Sequence, residues 1–406
     1  MEEIIPTEKE KQKDMETAKK IIKEINNLGH KATLVGSIAK DTYLKGSKDI
    51  DIFIMFPEKT PRKKLEEKGL EIAKKVCEKF NSKPQVKYAE HPYTRTTIDG
   101  YDIDIVPCYC IRKGQKIISA VDRSPLHTEY VKKHLDKPNE VRKLKHFMKQ
   151  IGVYSAKISV RGFSGYLCEL LIIEYGSFDE VLKAASEWTY GTHIDLEDHG
   201  TQEFEDPLIV IDPVDTERNV AAALTEENYA WFILASRYYL KHSHIPRKTK
   251  IYSKRGKFYV LEWKIKEEIE EIIWSQLERF QEKLIKQLEM REFSVIDSIV
   301  WTDSESTAQI LLELEVWELP PVNDHQGPEV YDSLATERFI EKYGKAIVKG
   351  NRVYTEKKRE YRKAKDLLKA MIKESPSHLS TKCKIHEGAK DTRAYKEYEK
   401  RYWKLS

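Results

Sequence analysis

The stretch Asp49 to Phe56, D-I-D-I-F-I-M-F, is apolar at every position but the first and third. Residues two apart on a strand share a face, so as a strand it presents Asp49 and Asp51 together and turns its isoleucines the other way. A second run, Tyr101-Asp102-Ile103-Asp104-Ile105-Val106-Pro107, repeats the alternation. Neighbouring strands of this kind gather carboxylates on one face, and carboxylates side by side repel, the more so when buried. A divalent cation resolves the repulsion, and oxygen-only ligands suit Mg²⁺. Eleven residues separate Asp49 from Ser37, which lies in a Gly36-Ser37 pair that follows the short apolar run Ala32 to Val35. Glycine lets backbone amides approach a ligand, and a helix starting at Ser37 would offer free N–H groups to an anion. A phosphate-gripping turn beside a metal-gripping carboxylate pair is the pattern of a nucleotidyl-transfer site.

Around this core the chain reads as α/β. Thr7 to Leu28 has a helical apolar period and ends at Gly29; Thr60 to Asn81 is a second helix with Pro61 in its first turn. Val86 to Ala89, Tyr93 to Ile98 and Tyr101 to Cys108 read as strands, with Asp99-Gly100 as a hairpin turn. From Asn139 the pattern becomes mostly helical: Asn139 to Ile151, Tyr166 to Tyr175, Ser177 to Glu187 and Glu226 to Lys241, with a short strand from Pro207 to Asp212.

Beyond His242, Lys264 to Arg291 keeps a helical period, and Val295 to Trp301 and Ala308 to Leu319 read as two strands, the second with one wet face. Asn323 to Pro328 reads as loop and Ser333 to Tyr343 as a helix. Glu356 to Lys373 and Lys390 to Trp403 read as basic helices.

The chain is long enough, at 406 residues, for several domains. Its apolar runs are too short to span a bilayer, and the N-terminus M-E-E-I-I-P-T-E-K-E is too acidic for a signal peptide. Five scattered cysteines, with no C-x-x-C, fit reduced thiols and a cytoplasmic location. The net charge of +4 is unevenly spread. Residues 345–406 hold 19 Lys and Arg against 8 Asp and Glu, a net of +11, which leaves the first 344 at −7. With Tyr361, Tyr395, Tyr398, Tyr402 and Trp403 interleaved, that basic end points to an RNA partner.

V-G-S, D-I-D-I-F and D-I-V-P-C-Y resemble the DNA polymerase β-like nucleotidyltransferases. E-H-P-Y, S-A-V-D-R-S-P, V-R-G-F-S-G-Y-L-C-E-L-L, D-P-V-D-T-E-R-N-V-A-A and H-Q-G-P-E-V resemble, more closely, the archaeal class I CCA-adding enzymes. The matches run from about residue 30 to at least residue 350. The resemblance implies an α+β multidomain fold. Its parts are a polymerase β-like head with a small mixed sheet at 1–135, a mostly helical neck at 136–247, an α/β body at 248–296 and 372–406, and a tRNA-gripping tail at 297–371. It implies addition of C, C and A to the 3′ end of tRNA from CTP and ATP, without a template, using two Mg²⁺ ions.

By the same resemblance, Asp49, Asp51 and Asp104 are the catalytic metal ligands, with Asp102 a rival for the third place. Gly36 and Ser37 are the phosphate turn, and Lys40 stands where the family often has an arginine. His91, Arg123, His127, Lys145, Tyr154 and Arg218 belong to the nucleotide pocket, Arg218 reading the base. The basic C-terminus adds Lys396, Lys400 and Arg401 as RNA contacts. The implied partners are the acceptor stem and upper half of tRNA, with CTP and ATP and no membrane; oligomeric state stays open, a homodimer included. A poly(A) polymerase or an oligoadenylate synthetase shares the G-S and D-x-D signature, and an RNA-binding protein with an inactive head is the reading from another class.

Overall fold

The computed structural model describes residues 2–88, 90–200, 203–250, 255–379, 382–388 and 390–405; Ala89, Ser380 and Ser406, which the sequence readings include, lie outside them. It forms two compact units, Met1–Pro246 and Arg247–Ser406.

The first unit opens with a 3₁₀ turn at Glu2–Ile4. Then come α1 (Glu8–Asn27), β1 (Lys31–Val35), the one-turn α2 (Gly36–Ala39), β2 (Asp49–Phe56), α3 (Arg62–Lys79), β3 (Gln85–Tyr88), β4 (Pro92–Ile98) and β5 (Tyr101–Tyr109). The sheet order is β1-β2-β5-β4-β3; β2 and β5 run parallel and the other neighbours antiparallel, so the sheet is mixed as expected. Asp99 and Gly100 both adopt positive φ, 53° and 80°, which a type I′ hairpin turn requires. Thr7 and Glu10 form a capping box that fixes the start of α1. Strand periodicity sends Ile50, Ile52, Ile54, Ile103 and Ile105 into a core with Ala18, Ile21 and Ile25 of α1 and Leu65, Ile72 and Val76 of α3. The acids therefore occupy the opposite face, beside a smaller apolar cluster of Val35, Phe53, Val106 and Cys108.

After a 3₁₀ turn at Ala120–Asp122 the helical part follows: α4 (Arg123–His134), α5 (Pro138–Ile151), α6 (Gly165–Tyr175), α7 (Phe178–Glu187), β6 (Thr192–Ile194), β7 (Leu208–Asp212), β8 (Asp215–Asn219) and α8 (Glu226–His242). Its interior is aromatic, with Phe147 edge-on to Phe178, Phe232 and Tyr239. The segment that follows α2 is tied into this part. Buried Arg142 of α5 donates from Nε to the Tyr43 carbonyl at 2.8 Å and pairs with Asp41, while Lys145 donates to the Thr42 carbonyl at 3.1 Å.

The second unit contains β9 (Arg247–Thr249), β10 (Lys257–Lys264), α9 (Glu270–Glu289), β11 (Val295–Thr302), β12 (Thr307–Leu314), β13 (Val322–Glu329), α10 (Ser333–Tyr343), β14 (Ile347–Lys349), β15 (Arg352–Lys358), α11 (Ala364–Ile372), β16 (Cys383–Glu387), α12 (Arg393–Glu399) and β17 (Tyr402–Lys404). Its main sheet, β11-β12-β10-β16, has α9 and α11 on one face and α12 on the other.

Several sequence expectations are corrected here. The long helix starts at Glu270 rather than Lys264, because Ile265 and Glu268 give their backbone N–H groups to Ser306 and Ser304 of the β11–β12 turn. The strand expected to keep a wet face is covered on both: Glu313 of β12 is 1% exposed and accepts from Arg255 and from Tyr398 Oη. The 323–328 loop is strand β13, paired with β15. That pairing takes residues 356–358 out of the expected helix, which begins at Ala364. The last helix is short, since Tyr402 and Trp403 leave it to pair with β9. A body–tail boundary at 297 would cut β11 and divide β10 from β12 within one sheet; β13, β14 and β15 form a separate sheet. Among the described residues, no helix is long and apolar enough to cross a membrane.

Candidate active site

The parallel register sets Asp49 opposite Asp102 and Asp51 opposite Asp104, so all four acids share one face of adjacent strands. Burial pushes the Asp51 carboxyl up to about 6, and the charges of Asp104 and Asp49 push in the same direction. The antiparallel partner β4 brings Arg95 opposite Asp104. Its Nε and Nη2 donate to the two Asp104 oxygens at 2.7 and 2.6 Å. Asp49 accepts from Ser47 Oγ at 3.2 Å, and Asp102 from Thr97 Oγ1 at 3.3 Å.

With Asp104 engaged by Arg95, no group of three or more His, Cys, Asp or Glu among the described residues is arranged as it stands to hold a metal ion. The donor chemistry nonetheless fits a hard divalent cation: Asp51 is held between two like charges, and all the donors are carboxylate oxygens.

Gly36, at φ 75°, backs onto this cluster. A Cβ there would meet Asp51 Oδ2 at 2.2 Å, so the position requires both the backbone freedom and the absence of a side chain. Ser37 follows in the single turn of α2, too short to act as a helix terminus of any consequence for an anion. The turn's contribution is to deliver Lys40 and Thr42. Lys40 Nζ lies 2.5 Å from Glu169 Oε2, Thr42 Oγ1 donates to Glu169 Oε1 at 2.5 Å, and Lys145 Nζ reaches the same oxygen at 3.3 Å. One buried carboxylate thus serves two ammonium groups. Glu169 is held below the ordinary carboxylate range although burial opposes it, the Lys40 and Lys145 charges prevailing. Burial, with Lys40 as a like charge nearby, pulls Lys145 down. Tyr154 Oη and Lys145 Nζ converge over Gly165, where a Cβ would lie 3.2 and 3.5 Å from them.

Asp212, fully buried at the end of β7, organises a third group. His127 Nε2 and Arg218 Nη1 donate to its Oδ2 at 2.8 and 2.7 Å, and Tyr166 Oη to its Oδ1 at 3.2 Å. His127 stacks on Tyr166 with ring centres 3.8 Å apart. Burial pulls the His127 pKa down, which favours a neutral ring donating from Nε2. Arg123 Nε donates to Asp215 Oδ2 at 2.6 Å. Arg123, Asp215 and Arg218 line a cleft of about 1130 Å³, with Ser164, Thr216 and Asn219 also on its wall. Lys40 links the groups, its Nζ being 5.5 Å from the Tyr166 ring and its charge felt at Asp51.

His91 is 1% exposed, with Nδ1 3.3 Å from Glu66 Oε1 and its ring edge-on to Tyr109. In the second unit, Lys396, Lys400 and Arg401 are exposed on or just after α12, but Lys400 pairs with Glu397 and Arg401 with Asp297. Sequence reasoning missed Arg95, Glu169, Tyr166, Asp212 and Asp215. Glu169 and Asp212 sit inside motif strings already singled out, and a lone acid within an otherwise apolar helix (Glu169) or at the end of an apolar strand (Asp212) is the signal that could have found them.

Three family models match in succession: "Nucleotidyltransferase domain" over residues 15–127, "tRNA nucleotidyltransferase, second domain" over 139–247, and "CCA-adding enzyme, C-terminal domain" over 255–386. The CCA-adding enzyme of Methanothermobacter thermautotrophicus is 39% identical over 391 residues, covering 91% of this chain and 86% of its own length. That of Methanocaldococcus jannaschii is 38% identical over 368 residues, covering 86% and 82%. Among solved structures, the Cid1 poly(U) polymerase overlaps 60% of this chain and 93% of its own at 13% identity, with a TM-score of 0.48.

Proposed function

The chain belongs to the family of archaeal CCA-adding enzymes, and on that premise we propose that Asp49, Asp51 and Asp104 hold its divalent metal while the cleft between Arg123 and Arg218 receives the nucleotide. The reaction is template-independent addition of C, C and A to the 3′ end of tRNA, with CTP and ATP as donors and pyrophosphate as leaving group. One observation carries the assignment of residues. A series of polar groups runs from Lys40 to Glu169 and Lys145 on one side and past Tyr166 to Asp212 and Arg218 on the other, with Asp51 within the field of the Lys40 charge. A triphosphate laid along that series would meet the excess positive charge of Lys40 and Lys145, with its base toward Arg218.

Bound at the carboxylates, magnesium, in two copies on this reading, would lower the pKa of the attacking tRNA hydroxyl and neutralise the departing pyrophosphate. Gly36 leaves room for the Asp51 carboxylate beside the phosphate turn. Asp212 and Asp215 fix the planes of Arg218 and Arg123, so both guanidiniums keep further N–H donors for the cleft. Cytosine and adenine offer an unprotonated ring nitrogen beside an exocyclic amine, which a guanidinium donor fits; uracil and guanine offer an N–H there. Residues 1–135 act as catalytic head and 136–247 as neck. The acceptor stem and upper half of tRNA is the RNA surface the reading needs, and a homodimer is compatible with it.

The test is incubation with tRNA lacking its 3′ end, Mg²⁺ and one labelled nucleotide at a time. CTP and then ATP should enter in order; ATP alone extending a tRNA that lacks all three nucleotides into a tail would overturn it. Arg218→Ala should raise UTP and GTP misincorporation relative to CTP by a discrimination loss of about 1–3 kcal/mol. An equal fall for all four nucleotides would make Arg218 a merely structural group.

The C-terminal charges need a test that spares the fold. Truncation near Ser375 would remove β16 and strip Tyr398 and Ala394 from the sheet core, so loss of binding would mean little. Reversal of the exposed Lys396 and Lys400 to Glu avoids this. It should weaken tRNA binding and make its salt dependence shallower by about one to two units of slope, with the CTP constant unchanged. Unaltered tRNA affinity across a salt titration would leave α12 a solvated face.

A further inference from the structure

Arg95 occupies both oxygens of Asp104, the carboxylate read above as a metal ligand, and it does so through the cross-strand register rather than through a distant loop. The guanidinium is therefore delivered to this position by the sheet itself. Asp104 is mostly buried, 16% exposed in its side chain, while Arg95 is 45% exposed and free on its outer side. On that side lies a cavity of about 300 Å³ lined by Lys83, Gln85, Arg95, Thr96, Thr97 and Asp102. Asp102 sits two residues before Asp104 on the same strand face, opposite Thr97, and carries a weak hydrogen bond from Thr97 Oγ1 at 3.3 Å. A cation in place on one acid, a neighbouring acid with acceptor capacity to spare, and room between them make a two-position switch.

We propose that Arg95 is a stand-in cation: it holds Asp104 while the metal is absent and moves across the cavity to Asp102 when a divalent ion takes Asp104. This rests on Asp104 being a metal ligand. It gives each acid of the second D-x-D a separate task, Asp104 as ligand and Asp102 as the acceptor that receives the displaced guanidinium. It also accounts for the charge balance. Without Arg95, the metal-free strand face carries four neighbouring carboxylates, with the Lys40 charge also acting at Asp51. Arg95 positions Asp104 and takes no part in the chemistry.

The experiment is Mn²⁺ titration of the full chain, without nucleotide or tRNA, read by the electron paramagnetic resonance signal of free Mn²⁺. Arg95→Ala removes the competitor, so it should bind Mn²⁺ about fivefold more tightly, the scale of a partly exposed ion pair. Arg95→Lys, which loses the bidentate fork, should fall between the two. Asp102→Asn removes the destination, so it should weaken Mn²⁺ binding, and by less in an Arg95→Ala background than in the parent. Comparing the two backgrounds cancels the general field of Asp102 and isolates its coupling to Arg95. Equal losses in both backgrounds put Asp102 on the ion itself and overturn the proposal, as does an Arg95→Ala protein that binds no more tightly than the parent. Asp104→Asn separates these failures from a failure of the active-site reading. If it binds Mn²⁺ as the parent does, Asp104 is no ligand and the metal assignment falls with the switch; if it binds weakly while Arg95→Ala is unchanged, the switch alone falls. A thermal readout checks folding, since Mn²⁺ should raise the melting temperature of Arg95→Ala by more than it raises the parent's.

Discussion

Asp51→Asn is expected to abolish addition of both C and A, by at least about a thousandfold in kcat, the scale on which losing a transition-state charge stabiliser operates. Binding of tRNA should survive, because nothing in the substitution touches a basic surface. The change is nearly isosteric, and Asp51 lies against Gly36, where the structure leaves no slack for a larger group. Stability distinguishes this loss from misfolding. The Asp51 carboxyl is pushed up to about 6 from an ordinary 3.8, so in chelator the folded state holds its proton more tightly than the unfolded state does. The associated stability is present at low pH and is lost as pH rises from about 4 through about 6. At pH 7.5 the parent without metal therefore carries a repelled, buried charge that Asp51→Asn lacks. The variant should melt no lower than the parent in chelator, and should show a smaller gain on adding Mn²⁺. An Asp51→Asn protein that still adds nucleotides would end the metal assignment. One that is inactive but also unstable in chelator would point to a structural carboxylate instead.

The part of this site that sequence makes legible is the part encoded locally. D-I-D-I-F and Y-D-I-D-I-V-P carry their acids and their buried faces within a few residues of each other, so the strands, the hairpin at Asp99-Gly100 and the shared face of the acids follow from periodicity alone. What sequence does not disclose is pairing across distance. Arg95 meets Asp104 only because β4 is antiparallel to β5 in one register. Lys40 and Glu169 are 129 residues apart, and His127 and Asp212 are 85 apart. Charged residues at those positions look like solvated surface until the fold brings their partners in.

The misread segments have a related cause. Residues 356–373 are rich in Lys and Arg at spacings that suit a helix, yet 356–358 belong to β15 and are claimed by pairing with β13. H-Q-G-P-E-V carries Gly and Pro, which read as loop, but Gly327 is where the strand passes so close to Phe339 that a Cβ would lie 2.7 Å from its ring. Tertiary pairing overrode local preference in both places.

Glu169→Gln should cost the fold more than any other single polar substitution in the first unit. The side chain is 1% exposed on α6, and its two oxygens take Lys40, Lys145 and Thr42. Glutamine keeps the shape and can still accept from Thr42, but it removes the carboxylate that pairs with both lysines, leaving two buried like charges. Removing one partner of a buried ion pair costs about 3–5 kcal/mol, more than the pair itself is worth, because the other charge is left uncompensated. In a unit of this size that corresponds to a fall in melting temperature of about 10 °C.

The pH dependence fixes the sign. Glu169 is held below its ordinary 4.5, so its contribution is full above that value and is lost as pH falls through the depressed one; the variant should lack that part of the acid limb. At high pH the two proteins should converge, because Lys145, already pulled down by burial, sheds its proton in the variant and relieves the repulsion. A second substitution makes the argument decisive. Adding Lys145→Met to Glu169→Gln removes the more deeply buried of the two stranded charges and leaves Lys40, so it should recover part of the lost stability while leaving nucleotide addition impaired, since the phosphate end of the site has lost a cation. If the double variant is less stable than either single one, the two residues contribute separately, and the buried network is not what joins the Gly-Ser turn to the helices.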